Sequence, residues 1–134
     1  MHIALDKILA HFACVAGTLH GLNRATGLLE LRAARNIPES LLAKVTTIPI
    51  GKGMAGLAAE RRQAVQVCNL QTDTSGVAKP SAKETRMEGS IAVPLLCETR
   101  LSGVLGIAKP VAYEFSPSEV SALENLGSIL ARHL

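Results

Sequence analysis

The stretch Ile48-Pro49-Ile50-Gly51-Lys52-Gly53-Met54-Ala55-Gly56 joins a β-like run, residues 46–50, to a helix over about 54–61 through a glycine-rich turn. Its spacing Gly51-x-Gly53-x-x-Gly56 spells the dinucleotide fingerprint. A dinucleotide-binding unit also needs a parallel βαβ crossover with an acid about twenty residues on. The next β-like run, residues 64–68, begins too soon for that crossover. Gly-Lys-Gly-Met likewise fails as a phosphate loop, where Gly-Lys is followed by Ser or Thr. The stretch therefore reads as a tight turn capping the Met54 helix. Its glycines leave room for backbone N–H groups to approach a ligand.

Upstream, Ile3, Leu5, Ile8, Leu9 and Phe12 recur at helical spacing and predict a short amphipathic first helix. Two β-like runs follow, 13–22 and 28–35, joined by the polar connection Asn23-Arg24-Ala25-Thr26-Gly27 as a hairpin. In the second run Leu29, Leu31 and Ala33 alternate with Glu30 and Arg32, which predicts one buried and one wet face. Pro38 opens a short helix over 39–44.

Downstream of the short strand, residues 69–88 turn polar and irregular, a length that in a compact domain usually signals function or disorder. Within them Ser81 and Glu84 are spaced as a capping box for a short helix. Runs 90–97 and 101–109, separated by Glu98-Thr99-Arg100, predict a hairpin, with Pro94 at an edge, a bulge or a position facing away from the ladder because it has no N–H to donate. Ser116-Pro117-Ser118-Glu119 is a second capping box, and Val120, Leu123, Leu126, Leu130 and Leu134 mark one face of a closing helix. The order predicts an α+β fold: a central antiparallel sheet, terminal helices on one face, short helices and the long loop on the other.

Length fits one domain over 1–134, and the 48% hydrophobic content supports a core, yet only 2% of residues are aromatic and none is Trp. That scarcity removes the stacking platforms of single-stranded nucleic acid binding. The net charge of +3 is scattered, with Arg61-Arg62 beside Glu60 as its densest point, so no nucleic-acid partner is expected. Cys14, Cys68 and Cys97 stand far apart, and neither they nor His2, His11, His20 and His133 show ligand spacing. The histidines are read as surface or cap residues, and no metal or cofactor is expected. Nothing is arranged for a Ser–His–Asp triad or for general acid–base work. No basic-then-apolar leader and no apolar run near ~18 residues is present, so a reduced, cytoplasmic, membrane-free setting is expected.

Over residues 5–134 the chain resembles the GAF family. The resemblance rests on the 48–56 stretch with Ala58-Ala59-Glu60-Arg61 and Val65-Gln66-Val67, on Ser90-Ile91-Ala92-Val93-Pro94-Leu95 with Gly103-Val104-Leu105-Gly106-Ile107, and on Phe115-Ser116-Pro117-Ser118-Glu119. It implies a profilin-like antiparallel sheet of about six strands and a ligand pocket between that sheet and the central loop. The candidate ligand-binding residues are then Met54 in the turn and Cys68, Asn69, Asp73, Thr74, Lys79, Lys83, Glu84 and Met87 in or beside the loop. These supply donors and acceptors with balanced charge, which suits a small polar metabolite.

The family includes reductases of free methionine-R-sulfoxide, which carry cysteines in the glycine-rich turn and central loop. Here the turn reads Gly53-Met54-Ala55-Gly56, and residues 69–96 contain no Cys. Cyclic-nucleotide binders pair Asn-Lys with Phe-x-x-x-Asp-Glu, and only Phe115-x-x-x-Glu119 is found here; bilin binders need a chromophore-attaching Cys that is missing. The resemblance thus points to a non-catalytic small-molecule sensor, with a thiol reductase or a purely structural dimerisation module as alternatives. Homodimerisation through the terminal helices and a separate effector protein, or placement within a longer protein, are the accompanying expectations.

Overall fold

A computed structural model describes residues 1–134. Its elements run α1 (His2–His11), β1 (Ala16–Asn23), β2 (Leu28–Arg35), α2 (Glu39–Val45), β3 (Thr47–Pro49), α3 (Gly53–Arg61), β4 (Val65–Val67), a 3-10 helix (Pro80–Thr85), β5 (Ser90–Cys97), β6 (Arg100–Ala108) and α4 (Pro117–Ala131). The six strands form one sheet in the order β3-β2-β1-β6-β5-β4, every neighbouring pair antiparallel. The α+β layout expected from the residue pattern is therefore present. No helix is long and apolar enough to cross a membrane.

The terminal helices cover one face. Leu5, Ile8 and Leu9 of α1 and Leu123 and Leu130 of α4 pack with Phe12, Leu19, Val93, Leu95, Leu105 and Phe115 into the larger core. The leucine stripe of α4 is thus committed to its own sheet: Leu126 and Leu134 are also partly buried against this core. It is not the uncovered apolar surface from which the dimer expectation was drawn. Ile3, placed by spacing on the buried face of α1, is instead 73% exposed, as Ile129 on α4 is at 55%. On the opposite face Ala58 and Ala59 of α3 meet Leu29, Val65, Ala92, Leu101 and Val104 in a second, smaller core.

A bulge divides β2 between these two cores. Leu19 is matched to Ala33 but His20 to Leu31, which leaves Arg32 as the extra residue. One extra residue reverses the facing of everything beyond it, because side chains alternate with period two. Leu29 accordingly joins the α3 core while Ala33 joins the terminal-helix core, where strict alternation put both on one side.

Pro94 sits opposite Val104 on β5, beyond the last pair with β4, Val65–Ala92, so it occupies an edge as anticipated. Residues 13–15 are not strand: Ala13 takes φ 54°, and the ammonium of buried Lys109 donates to the carbonyls of Phe12 at 2.5 Å and Ala13 at 3.3 Å. The Ser116 capping box is formed, with Glu119 N–H donating to Ser116 Oγ at 3.2 Å and Ser116 N–H to Glu119 Oε1 at 2.9 Å. The Ser81 box is not. Pro80 starts its helix two residues earlier than a Ser81 cap would, with its fixed φ suited to the first helical position, so Lys79 stands at the cap without a side-chain bond.

Candidate functional site

Beside the α3 core the same face of the sheet is hollow. Small residues make the floor: Gly17 and Thr18 of β1, Ala92 of β5, Gly106 and Ala108 of β6. Leu41 and Val45 of α2 with Ile48 form one wall, and Met54 and Ala55 at the start of α3 form another. Leu70, Ala78, Lys79, Ser81, Ala82, Thr85 and Met87 from the 69–88 segment roof it. Its volume is about 350 Å³, within the range of small-ligand sites.

The glycine turn positions the second wall. An added Cβ on Gly56 would come within 2.6 Å of the Pro49 carbonyl oxygen, so only glycine allows the closure in which Gly51 N–H donates to Gly56 O at 2.8 Å. Gly53 takes φ +67°, and the stem of Lys79 lies about van der Waals distance from it, 3.5 Å from where a Cβ would stand. The fingerprint spacing therefore builds a tight turn under the roof.

The roof is held by polar contacts of its own. Gln71 Nε2–H donates to Met87 O at 2.8 Å and to Lys83 O at 3.3 Å, and Asn69 Oδ1 accepts from Gln71 N–H at 3.0 Å. On the far side Lys44 of α2 pairs with Glu84 at 3.0 Å.

The nine candidate residues divide into three groups. Met54, Lys79 and Met87 line the cavity. Asp73, Thr74 and Lys83 line an adjoining, more polar depression that shares Lys52, Gly53 and Lys79 with it. Cys68, Asn69 and Glu84 line neither. Cys68 is exposed, and its carbonyl accepts from Tyr113 N–H at 3.0 Å. Its neighbour Gln66 reaches the terminal-helix side, where its Oε1 accepts from Phe115 N–H at 2.9 Å. Asn69 shapes the start of the roof, and Glu84 fastens the roof to α2 through Lys44 and Ser40.

His20 was missed, read as a surface or cap residue, and it lies in the cavity wall. It is 1% exposed, and its Nε2 stands 2.8 Å from the carbonyl oxygen of Val45. A carbonyl only accepts, so the ring proton sits on Nε2 and Nδ1 presents a lone pair. Nδ1 is the one buried side-chain nitrogen or oxygen in the chain without a hydrogen-bond partner. Burial pushes the imidazole pKa down, opposed in part by the bond to Val45, which keeps the ring neutral near pH 7. The signal that could have found it is the pleat: Leu19 faces the terminal helices, so its neighbour faces the other way.

A family model described as "GAF domain" matches residues 1–134. Among curated proteins none matches the chain in sequence. The chain is similar to the GAF domain from a phosphoenolpyruvate-protein phosphotransferase of Coxiella burnetii, with 19% identity over 98% of this chain and 78% of that one and a TM-score of 0.82. It is similar also to a free methionine-R-sulfoxide reductase from Neisseria meningitidis, solved with its substrate, at 20% identity over 98% and 74% of the two chains and a TM-score of 0.79. A type II free methionine-R-sulfoxide reductase from Thermoplasma acidophilum matches at 19% identity over 98% and 87%, with a TM-score of 0.77. At these identities the likeness is one of fold.

Proposed function

The chain belongs to the GAF domain family, and from that premise we propose that it is a non-catalytic sensory module whose cavity holds a small polar metabolite. The observation that carries this reading is the 350 Å³ space between the sheet and the 69–88 roof, mostly apolar within and rimmed by Lys44, Lys52 and Lys79. Its lining contains none of the three thiols and no carboxylate. Both absences support binding over turnover, since a thiol reductase needs its nucleophile at the substrate and acid–base chemistry needs a group placed to move a proton.

Occupancy would be reported to a separate effector or to a second copy of the chain. We place the homodimer contact on the outer side of α4 around Ile129, because the leucine stripe of that helix already faces the sheet. The test of the sensory reading is amide-resolved NMR of the labelled protein titrated with fractionated metabolite extract. Saturable shifts at Met54, Ala92 and Gly106 are the expected result. Shifts confined to exposed residues away from the cavity would count against it.

A further inference from the structure

Two buried side chains carry a nitrogen that can be charged, and they differ. Lys109 is satisfied by the carbonyls of Phe12 and Ala13 on the terminal-helix side. His20 is satisfied at one nitrogen only, and its bare Nδ1 belongs to a side chain in the cavity wall. A buried acceptor without a partner is uncommon in native proteins and calls for an explanation. His20 lines the cavity, and a ligand held there is the partner within its reach.

The charges around that space have one sign. No Asp or Glu lines the cavity, and its charged residues are Lys44, Lys52 and Lys79, all exposed at the rim. Lys44 is neutralised by Glu84, and the chain's other ion pair is Arg35–Asp6, so Lys52 and Lys79 have no acidic partner. The rest of the lining is mostly apolar, with Leu41, Ile48, Met54 and Met87, and its remaining polar side chains besides His20 are the neutral hydroxyls of Thr18, Ser81, Thr85 and Ser90. An ammonium drawn into this interior would meet no carboxylate, and a buried unpaired charge is strongly disfavoured. A neutral hydroxyl or amide N–H meets a waiting acceptor.

We propose that His20 selects the ligand, accepting through Nδ1 a hydrogen bond from a neutral hydroxyl or N–H donor on a small organic anion whose acidic end lies toward Lys52 and Lys79. This rests on the cavity being the ligand site. It names the class within the metabolites that the site could take: hydroxy acids and their amide-bearing counterparts, and not amino acids with a free ammonium.

Hexanoate, its 2-, 3- and 6-hydroxy derivatives, norleucine and 6-aminohexanoate serve as probes, followed by NMR titration of the cavity amides. At least one hydroxy acid is expected to bind about 10-fold or more tighter than hexanoate, the worth of one buried hydrogen bond, with both amino compounds weaker than hexanoate. In His20→Leu the hydroxyl advantage disappears while hexanoate still binds. His20→Phe, which keeps the ring's volume without an acceptor, serves as the second variant if the leucine protein is unfolded by its amide spectrum. Long-range nitrogen spectra of the wild type should show the proton on Nε2, with Nδ1 shifting when the hydroxy acid binds. A proton on Nδ1, no gain from any hydroxyl, a gain that survives loss of His20, or tighter binding of an amino compound overturns the proposal and leaves the cavity reading standing. If no probe, hexanoate included, moves a cavity amide, the cavity reading fails and this one with it.

Discussion

Lys44 on α2 and Glu84 on the 3-10 helix are paired at 3.0 Å, and this contact ties the roof of the cavity to its side wall. Both side chains are largely solvated, at 56% and 37% exposure, so the pair is worth at most about 1 kcal/mol and less in salt. Glu84→Ala should leave the unfolding midpoint nearly unchanged. It should raise amide exchange selectively across residues 80–88, read by mass spectrometry, and high salt should produce the same pattern in the wild type. Exchange that rises equally in β5 and β6 would show that the pair supports the whole fold instead.

The cap of α4 gives a pH dependence with a defined sign. The Ser116 backbone N–H and then the Tyr113 hydroxyl hold the Glu119 carboxyl below its ordinary value of 4.5. A carboxyl lowered in the folded state stabilises fully above 4.5, and that contribution fades as pH falls through the lower folded value. Urea midpoints should therefore drop below pH 4.5 more steeply in the wild type than in Glu119→Gln. Ser116→Ala removes the other half of the box at a cost of about 1 kcal/mol at neutral pH. Equal acid slopes in wild type and Glu119→Gln would remove the cap as their source.

How far this was legible in the sequence depended on whether a pattern carries its own geometry. The 48–56 stretch and the Ser116 box do, because glycine spacing and the Ser-to-Glu interval each specify backbone bonds, and both turn and cap formed. A stripe does not say what covers it: the α4 leucines marked a buried face correctly, but the cover is β5 and β6 and not a partner. Nor does alternation announce a bulge, so Ala33 was placed on the wrong face. The roof residues Lys79 and Met87 were accessible to reading because the loop's length drew attention there, and Met54 of the wall because the glycine turn did. His20 and the α2 wall were not. Gly17 and Gly21 blur the pleat of β1, and α2 is only 7 residues, too short to display a face.

Thiol chemistry at this site should be absent. Cys14 is buried, with its pKa pushed up to about 11 mainly by that burial, while Cys68 is exposed and neither lines the cavity. A thiol held protonated is a poor nucleophile. The protein should not turn over free methionine-R-sulfoxide with dithiothreitol or thioredoxin. Turnover abolished by Cys68→Ser or Cys97→Ser would overturn the non-catalytic reading.

Light scattering should give a dimer mass for the wild type and a monomer mass for Ile129→Glu, whose side chain at 55% exposure is available to a second copy. The substitution adds a charge on the solvent side of α4, so the monomer should keep the wild-type unfolding midpoint to within about 0.5 kcal/mol once the dimer's contribution is subtracted. A monomeric wild type at millimolar concentration would end the dimer proposal.

The roof gives the most direct test of the site. Ala78, Lys79, Ser81 and Ala82 close the cavity from a segment with no strand partner; apart from the Gln71–Lys83 bond and the exposed contacts of Glu84, its cross-links lie at its ends, Leu70 N–H to Glu88 O at 2.8 Å and the Gln71 side chain to Met87. Between those ends a polar segment buries too little to offset its own conformational entropy, so ligand in the cavity should add to its order. Trypsin should cut the ligand-free protein at the exposed residues Lys83 and Arg86, Lys79 being protected by the Pro80 that follows it, and a bound hydroxy acid should slow both cuts together. Deleting residues 75–82 should abolish binding while the amide spectrum of Ser90–Cys97 and Arg100–Ala108 stays intact, because that hairpin pairs without the roof. Protection that is already complete without ligand would mean a pre-formed lid and no coupling. Binding that survives the deletion would move the site elsewhere.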